Sequence, residues 1–279
     1  MNSAFTTVIF GLAASLCWGS GDFNGGLASR RANASSVVIA AYAVGFVLLV
    51  VLALLWREPF PAPVDIMWGG VAGLAGAIGL IAFYSALSIG RMGIAAPISA
   101  VLTAGLPVLF SAFTQGLPGL LQLGGFVLAL LAIALISRPE RSKGRPEGIG
   151  LALLAGTGFG CFFILISRIH ATETFWPLAV ARLTSVLFLL IVVRIRQQPT
   201  LPQLSVAPLI LLAGVLDAFG NVFFVLATHS GRLDVAAVLS SLYPAATVIL
   251  AALLLRERVT RIQAMGILLA LVAVPMISV

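Results

Sequence analysis

The sequence predicts an all-α membrane protein in which ten transmembrane helices form two inverted five-helix repeats. The chain has 279 residues, of which 61% are hydrophobic and only 9% are charged. Soluble domains carry about 25% charged residues, so this chain cannot cover its apolar surface in water, and the lipid bilayer is its expected surroundings. The repeat is visible directly, because residues 73–137 align without a gap on residues 214–278.

The apolar runs divide the chain into ten predicted spans, each close to the roughly 20 residues that a bilayer requires. These runs are continuous rather than alternating, which favours helices over the strands of a barrel. No positively charged segment precedes the first run, so we expect a retained helix and not a cleaved signal peptide. The ten predicted spans are 5–27, 34–56, 64–87, 92–114, 118–137, 147–168, 174–194, 206–228, 234–255 and 260–278.

The distribution of Lys and Arg predicts the orientation of the bundle. Twelve of the 16 basic residues fall in the loops of one side, three in the loops of the other, and Arg182 falls inside span seven. By the positive-inside rule the side with twelve is cytoplasmic, which puts both termini on the non-cytoplasmic side of a cell inner membrane. Because the basic residues are scattered between apolar runs, nucleic acid is not an expected partner. The twelve are Arg30, Arg31, Arg91, Arg138, Arg141, Lys143, Arg145, Arg194, Arg196, Arg256, Arg258 and Arg261.

The predicted division of the chain follows from the repeat. Residues 1–137 form the first five-helix repeat, residues 138–146 a basic cytoplasmic linker, and residues 147–279 the second repeat. Five is an odd number, so the second repeat enters the membrane upside down relative to the first. Inverted repeats are typical of secondary transporters, whose substrate site lies near the midplane between the halves. One chain already contains both halves, so a monomer would suffice for alternating access.

Two ionisable residues within spans are candidates for coupling or structural roles, since such groups are costly in lipid. Asp22 follows a glycine-rich stretch of span one and is either functional or an interfacial carboxylate that meets water. Arg182 lies eight or nine residues into span seven, too deep to reach water easily. It is either a structural partner of an acid such as Asp217 or Asp22, or a group that binds a substrate carboxylate.

Span eight carries a predicted substrate-binding face. Asp217, Asn221 and Phe224 are spaced i, i+4 and i+7, which places them along one side of a helix. The repeat counterpart of Phe224 is Phe83, and this pair suits either an aromatic-lined pocket or ordinary helix packing. His229, near the end of the same span, is expected to be solvated.

Further pocket residues are predicted from aromatic side chains at depth. Tyr42, Tyr84 and Tyr243 are the three tyrosines of the chain, and all lie within spans, where a phenol needs a hydrogen-bond partner. Trp18 in span one and Tyr243, which precedes Pro244, are the preferred members.

The sequence contains no signature of an enzyme. The glycine-rich segments lack the Gly-Lys-Ser/Thr ending of a phosphate-binding loop, and two cysteines and two histidines signal neither a disulfide framework nor a metal site. We therefore expect no catalytic residues, no cofactor and no metal. The expected partners are a small-molecule substrate and the lipid bilayer, with transport driven by a gradient or running downhill.

Several motifs carry a resemblance to a known family. On them the chain resembles the drug/metabolite transporter superfamily, in its ten-helix type with two EamA domains, and within it the YddG-type exporters of aromatic amino acids. The first repeat departs from the pattern, with Phe113-Thr-Gln-Gly116 where the second has Leu254-Leu-Arg-Glu257. The first-helix glutamate of the small four-helix multidrug members is also missing. The motifs are Ala14-Ser-Leu-Cys-Trp-Gly-Ser20, Val180-Ala-Arg-Leu183, Ser240-Ser-Leu-Tyr-Pro244, Leu255-Arg-Glu-Arg258, and Gly90-Arg91 with Ala95-Ala96 paired to Gly231-Arg232 with Ala236-Ala237.

The resemblance implies an inner-membrane exporter of small amphipathic metabolites, of which aromatic or other apolar amino acids are the expected class. A multidrug or organic-cation exporter is the alternative within the same superfamily. A membrane-embedded lipid-modifying enzyme and a lipid translocator are the alternatives outside it.

Overall fold

The computed structural model describes residues 3–88, 92–137, 148–170 and 173–278, without the side chains of residues 3, 4, 84, 87, 88 and 92–95. Throughout these ranges the regular structure is helical, with eleven α-helices, one short 3₁₀ turn at Leu204–Val206 and no strand. The helices are α1 (Ser3–Ser29), α2 (Ala34–Leu55), α3 (Pro63–Ser88), α4 (Met92–Thr114), α5 (Leu120–Ile136), α6 (Ile149–Ile166), α7 (Phe175–Ile195), α8 (Ala207–Ser230), α9 (Leu233–Ser240), α10 (Tyr243–Leu255) and α11 (Arg261–Ile277).

These helices confirm the predicted all-α membrane fold. Seven stretches of the described chain are long and apolar enough to cross a membrane, and α5 and α11 are shorter apolar helices of 17 residues each. The seven stretches are Ala34–Leu55, Pro63–Phe83, Ala96–Thr114, Ile149–Ile166, Phe175–Ile195, Leu204–Ser230 and Leu233–Leu255.

The ninth predicted span, 234–255, matches the apolar stretch Leu233–Leu255, but this stretch consists of two helices. α9 ends at Ser240 and α10 begins at Tyr243. Pro244 lies at the start of α10, where it has no N–H to donate and where its ring crowds the carbonyl of Ser240. At the matching position of the first repeat stands Thr103, whose hydroxyl donates to the carbonyl of Ser99 at 2.8 Å, and α4 continues without a break.

The helix packing has the symmetry that an inverted repeat requires. α1 packs on α8, α9 and α10, which makes a first bundle, and in the same way α6 packs on α3 and α4, which makes a second bundle. α2 packs on α8, as α7 does on α3, and α2 and α7 also contact each other. The remaining pair, α5 and α11, packs together. Exchange of the two repeats therefore maps each of these contacts onto its counterpart, and the α2–α7 and α5–α11 contacts onto themselves.

Two glycines show how closely the equivalent helices approach. A Cβ atom at Gly73 would collide with the carbonyl of Ala181, and a Cβ atom at Gly214 would collide with the carbonyl of Ala41. Small residues at such crossings let membrane helices pack backbone against backbone. The two glycines are 141 residues apart, but the two alanines are only 140 apart. The second repeat therefore has one residue more between α7 and α8 than the first repeat has between α2 and α3.

The loops after α2 and α7 support this 140-residue register. Arg57 and Gln197 are equivalent on it, and both adopt a left-handed backbone, with φ of 53° and 52°. On the same register Tyr42 of α2 is the counterpart of Arg182 of α7. These two residues touch each other, so they mark the axis that relates the repeats.

Candidate functional site

A buried ion pair lies where α2, α7 and α8 meet. One Nη atom of Arg182 is 2.5 Å from a carboxylate oxygen of Asp217, and the Arg182 side chain is only 8% exposed. The guanidinium carbon lies 4.2 Å from the centre of the Tyr42 ring. Of the two acids that the sequence offers Arg182, the structure pairs it with Asp217. A charge in this position needs both the carboxylate and the ring, because it has little access to solvent.

Asp22 lies beside this pair without a cation of its own. Its side chain is exposed, although it belongs to a helix that is packed on two sides. Gly21 of α1 faces α8 and Gly19 faces α10, so Asp22 lies on the strip between those two contacts. No Lys, Arg or His of the described chain forms an ion pair with it.

The acids and tyrosines around Asp22 belong to one cluster. Asp22 interacts electrostatically with Asp217 and with Tyr243 at the start of α10. Tyr42 interacts with Asp22, Asp217 and Arg182. The cluster, which we call the central cluster, therefore consists of Asp22, Tyr42, Arg182, Asp217 and Tyr243, contributed by α1, α2, α7, α8 and α10.

An aromatic cluster adjoins the central cluster, one helical turn away along α1. The Trp18 ring is stacked on Phe163 with centroids 5.4 Å apart, and Phe163 is stacked on Phe224 at 4.3 Å. Phe224 is fully buried and Phe163 is 5% exposed. The ring of Trp18 lies flat against α8 because residue 220 is glycine, where a Cβ atom would collide with the indole.

The second bundle reproduces half of this arrangement. Phe159 is the counterpart of Trp18. Its ring lies 3.1 Å from the place of a Cβ atom at Gly79, and Gly79 is the counterpart of Gly220, which lies against the Trp18 ring. Phe83 is the counterpart of Phe224, and its ring meets Phe159 edge-on with centroids 6.2 Å apart. Both Phe83 and Phe159 are partly exposed.

Two further predicted residues have other surroundings. Asn221 is only 2% exposed, and its side-chain amide donates to the carbonyl of Asp217 at 2.6 Å, one turn back in the same helix. The side chain of Tyr84 lies outside the described residues, as do Arg91 and the predicted linker 138–146.

The loops at the two ends of the bundle define two faces. We call the end that carries residues 56–62, 115–119, 167–174 and 231–232 the Glu58 face, and the end that carries residues 30–33, 196–206 and 256–260 the Gln198 face. The basic-residue rule predicts that the Glu58 face is the non-cytoplasmic one.

On the Glu58 face, polar contacts join the first bundle to the second. The Arg232 guanidinium donates to the carbonyls of Gln115 and Gly116 at 3.2 and 2.8 Å. The expectation that His229 is solvated is wrong, because its Nε2 atom lies 3.0 Å from the carbonyl of Ile169. Burial removes water from this ring, so the histidine bonds to the loop that follows α6.

Two acids hold the start of α7 and the loop before it. The Glu58 carboxylate accepts hydrogen bonds from the backbone amides of Thr174, Phe175 and Trp176. Asp65 is fully buried and accepts from the backbone N–H of His170, whose ring Nδ1 atom is 2.8 Å from its carboxylate. That hydrogen bond raises the pKa of His170 above its ordinary value of 6.5.

Sequence reasoning did not single out Phe163, Glu58 or Asp65. Phe163 is the counterpart of Asp22 in the 141-residue repeat, and this relation is the one sequence signal that points to Phe163. The two acids precede or begin spans and resemble ordinary loop residues, because their partners are backbone amides that have no sequence signature. Within the described residues, no three of the His, Cys, Asp and Glu side chains are grouped as metal ligands.

The model of the EamA-like transporter family matches the chain twice, over residues 5–138 and 146–279. The chain belongs to the EamA-like transporter family. It is therefore a multi-pass membrane transporter with two EamA repeats, as the resemblance in its motifs implied. The two matches fall one in each of the two halves related by the 141-residue shift, so the central cluster of this EamA-like protein combines residues of both repeats.

A solved structure described only as "Crystal structure of protein" has the same fold. It superimposes with a TM-score of 0.79 at 18% sequence identity, and the alignment covers 97% of this chain and 95% of that chain. At this identity the likeness concerns the fold alone. No curated protein is significantly similar to the chain in sequence, so the substrate of this EamA-like transporter has to be argued from its own residues.

Proposed function

We propose that this transporter exports small amphipathic metabolites, namely aromatic or other apolar amino acids, across the inner membrane by alternating access. The observation that carries the proposal is the position of Asp22, exposed and without a counter-ion, one helical turn from the Trp18 ring. An amino acid with an aromatic side chain presents a cation and a ring that complement this pair.

The ammonium group of such a substrate would bind Asp22. A carboxylate at this depth is costly unless water or a cation accompanies it, and the described chain provides no cation within ion-pairing distance. Tyr243 is close enough to share the site, and its phenol can accept or donate a hydrogen bond.

The carboxylate of the substrate would bind Arg182. Arg182 already holds Asp217 at 2.5 Å, and the planar guanidinium has five donors, so a second carboxylate can be accommodated beside the first. We do not assign Asn221 a contact with the substrate, because its amide donates to the Asp217 carbonyl within α8.

The side chain of the substrate would lie against the aromatic cluster. The partly exposed Trp18 ring, which is backed by the buried ring of Phe224, forms an apolar wall, and edge-to-face or offset contacts with such a ring contribute about 0.5–1.5 kcal/mol per pair beyond the area that is buried. This wall suits Trp and Phe better than Thr or Lys.

The test is uptake of labelled Trp, Phe and Thr into liposomes that contain the purified protein, with and without a pH gradient. We expect saturable uptake of Trp and Phe that unlabelled aromatic amino acids compete away. Asp22→Asn and Trp18→Ala should each abolish it, whereas Gly26→Ala, on an open part of α1, should leave it intact. No uptake above that of empty liposomes would contradict the proposal.

An organic-cation exporter is the second candidate. With Asp22 and Asp217 both ionised, two negative charges would face the single positive charge of Arg182, and a central cluster with a net charge of −1 favours a cation over a zwitterion. Efflux of a cationic dye that amino acids fail to inhibit would favour this candidate.

A further inference from the structure

Phe163 connects the two bundles through its ring contacts. It belongs to α6 of the second bundle, but its ring lies against Trp18 and Phe224, which belong to the first bundle. The aromatic cluster thus fills the space between the bundles toward the Glu58 face.

The repeat symmetry identifies the corresponding place toward the Gln198 face. There Phe159 and Phe83 take the positions of Trp18 and Phe224, and both rings belong to the second bundle. The residue of the first bundle that corresponds to Phe163 is Asp22, 141 residues earlier. The register is secure at this point, because Gly19 packs on Tyr243 and its counterpart Gly160 packs on Leu102, the counterpart of Tyr243.

The two corresponding residues have opposite surroundings. Phe163 is 5% exposed between two rings, whereas Asp22 is exposed and touches no ring among the described contacts. A carboxylate cannot stack between Phe83 and Phe159 without losing its hydration, so Asp22 does not join the bundles on its side as Phe163 does on the other.

We propose that Phe163 is the gate residue of the Glu58 face, and that Asp22, in the corresponding position, keeps the Gln198 face open in this conformation. In the other conformation Phe163 leaves Trp18 and Phe224, and the first and second bundles close around Phe83 and Phe159. This gate rests on the alternating access of the proposed function but not on its substrate.

Polar contacts also join the two bundles on the side of the Phe163 ring. On the Glu58 face, Arg232 holds the carbonyls of Gln115 and Gly116, and His229 holds the carbonyl of Ile169. Hydrogen bonds at the surface exchange with water at little cost, so these contacts can open once the ring is withdrawn.

The test measures access to the thiol of Tyr243→Cys in a Cys17→Ala, Cys161→Ala background, since Tyr243 is a partly exposed member of the central cluster. A membrane-impermeant thiol reagent is added from either side of oriented vesicles. In the parent we expect labelling from the Gln198 face only. Phe163→Ala should raise the labelling rate from the Glu58 face about ten-fold, which corresponds to about 1.4 kcal/mol.

Three further variants complete the test. Phe162→Ala removes the neighbouring ring, which packs on Gly76 rather than on Trp18, and should leave the sidedness as in the parent. Asp22→Phe should lower labelling from the Gln198 face about ten-fold, because it supplies the missing ring. The exchanged variant Asp22→Phe/Phe163→Asp should be labelled from the Glu58 face instead.

The proposal is overturned if the parent is labelled equally from both faces, or if Phe163→Ala is labelled from the Glu58 face no faster than Phe162→Ala. Should Phe163→Ala fail to yield folded protein, Phe163→Leu removes the stacking with a smaller loss of volume, and the expectation is the same. Labelling needs no substrate, so a failed amino acid uptake assay leaves the gate standing, and a failed labelling test leaves the substrate proposal standing.

Discussion

Glu58 and Gln198 occupy equivalent positions after α2 and α7, yet only Glu58 binds the start of a helix. Its carboxylate accepts from the backbone amides of Phe175 and Trp176 at 2.8–3.0 Å. Gln198 accepts one hydrogen bond, from the Ser35 hydroxyl at 2.9 Å. The reason lies in the helices that they face: Asn33 caps α2 with its own side chain, whereas α7 has no side-chain cap from Thr174 and depends on Glu58.

This difference predicts the effect of removing Glu58. Glu58→Ala leaves three amides at the start of α7 without an acceptor, and we expect a loss of about 1–2 kcal/mol, the range found for helix N-caps. The thermal unfolding midpoint of the detergent-solubilised protein should fall by a few degrees. Gln198→Ala is the matched control, and it should change the midpoint much less. Equal shifts in the two variants would show that the cap does not act as described.

The Asp65–His170 pair predicts a pH dependence of stability. The Asp65 carboxylate raises the pKa of His170 in the folded protein above the ordinary value of 6.5. Its contribution is therefore complete below about pH 6.5 and is lost as the pH rises through the raised pKa. The difference in unfolding midpoint between the parent and His170→Gln should shrink as the pH increases from about 6 to about 9.

Two controls accompany the pH measurement. Asp65→Asn should remove the dependence together with the ion pair. Burial also raises the pKa of Glu173, which lies near Asp65, so the series is repeated in Glu173→Gln. A difference in unfolding midpoint between the parent and His170→Gln that grows with pH would contradict the prediction for the Asp65–His170 pair.

Gly220 predicts opposite signs for two glycine-to-alanine changes. Alanine usually stabilises a helix by about 0.5–1 kcal/mol relative to glycine, and Gly26, where an added methyl group would meet no atom within 4 Å, should follow that rule. At Gly220 the methyl group would collide with the Trp18 ring, so Gly220→Ala should lower the unfolding midpoint and the rate of transport. A higher unfolding midpoint in both Gly26→Ala and Gly220→Ala would mean that the Trp18 ring is free to move aside.

The buried ion pair predicts a strongly non-additive pair of substitutions. Arg182→Met or Asp217→Leu alone leaves a buried charge unpaired and should cost about 3–5 kcal/mol, while the double variant should regain most of the loss. If Arg182 also binds the substrate, transport stays absent in the refolded double variant. Recovery of both stability and transport would assign the pair a purely structural role.

The sequence predicted the fold well because membrane spans are defined by length and apolarity, which are local properties. Most predicted span ends lie within a few residues of the helix ends, as for the span at 34–56 and α2 at Ala34–Leu55. The break before Pro244 was not predicted. A proline within a span is not a sufficient signal, because α4 and α11 carry Pro97, Pro107 and Pro275 inside unbroken helices. Proline alone does not decide where a helix ends.

The candidate site was predictable only in part. Charges within spans are conspicuous, so Asp22, Arg182 and Asp217 are recognisable from the sequence alone. Phe163 is not, because a phenylalanine among 17 in an apolar chain carries no signal of its own. Its role depends on which rings it touches across the bundle, and such contacts follow from the relative placement of helices that are far apart in the sequence.

The unpaired charge of Asp22 has a consequence for energy coupling. If access to this carboxylate switches from one face to the other, the charge samples a different part of the electrical potential across the membrane in each state. A full elementary charge moved through about 100 mV corresponds to about 2.3 kcal/mol. The empty carrier, with its net negative cluster, would then return at a rate set by voltage. A bound amino acid is a zwitterion and adds no net charge, so the loaded carrier would respond to voltage in the same way. Since a full cycle with a zwitterionic substrate moves no net charge, the membrane potential would change the rates of the two half-cycles but not the direction of net transport.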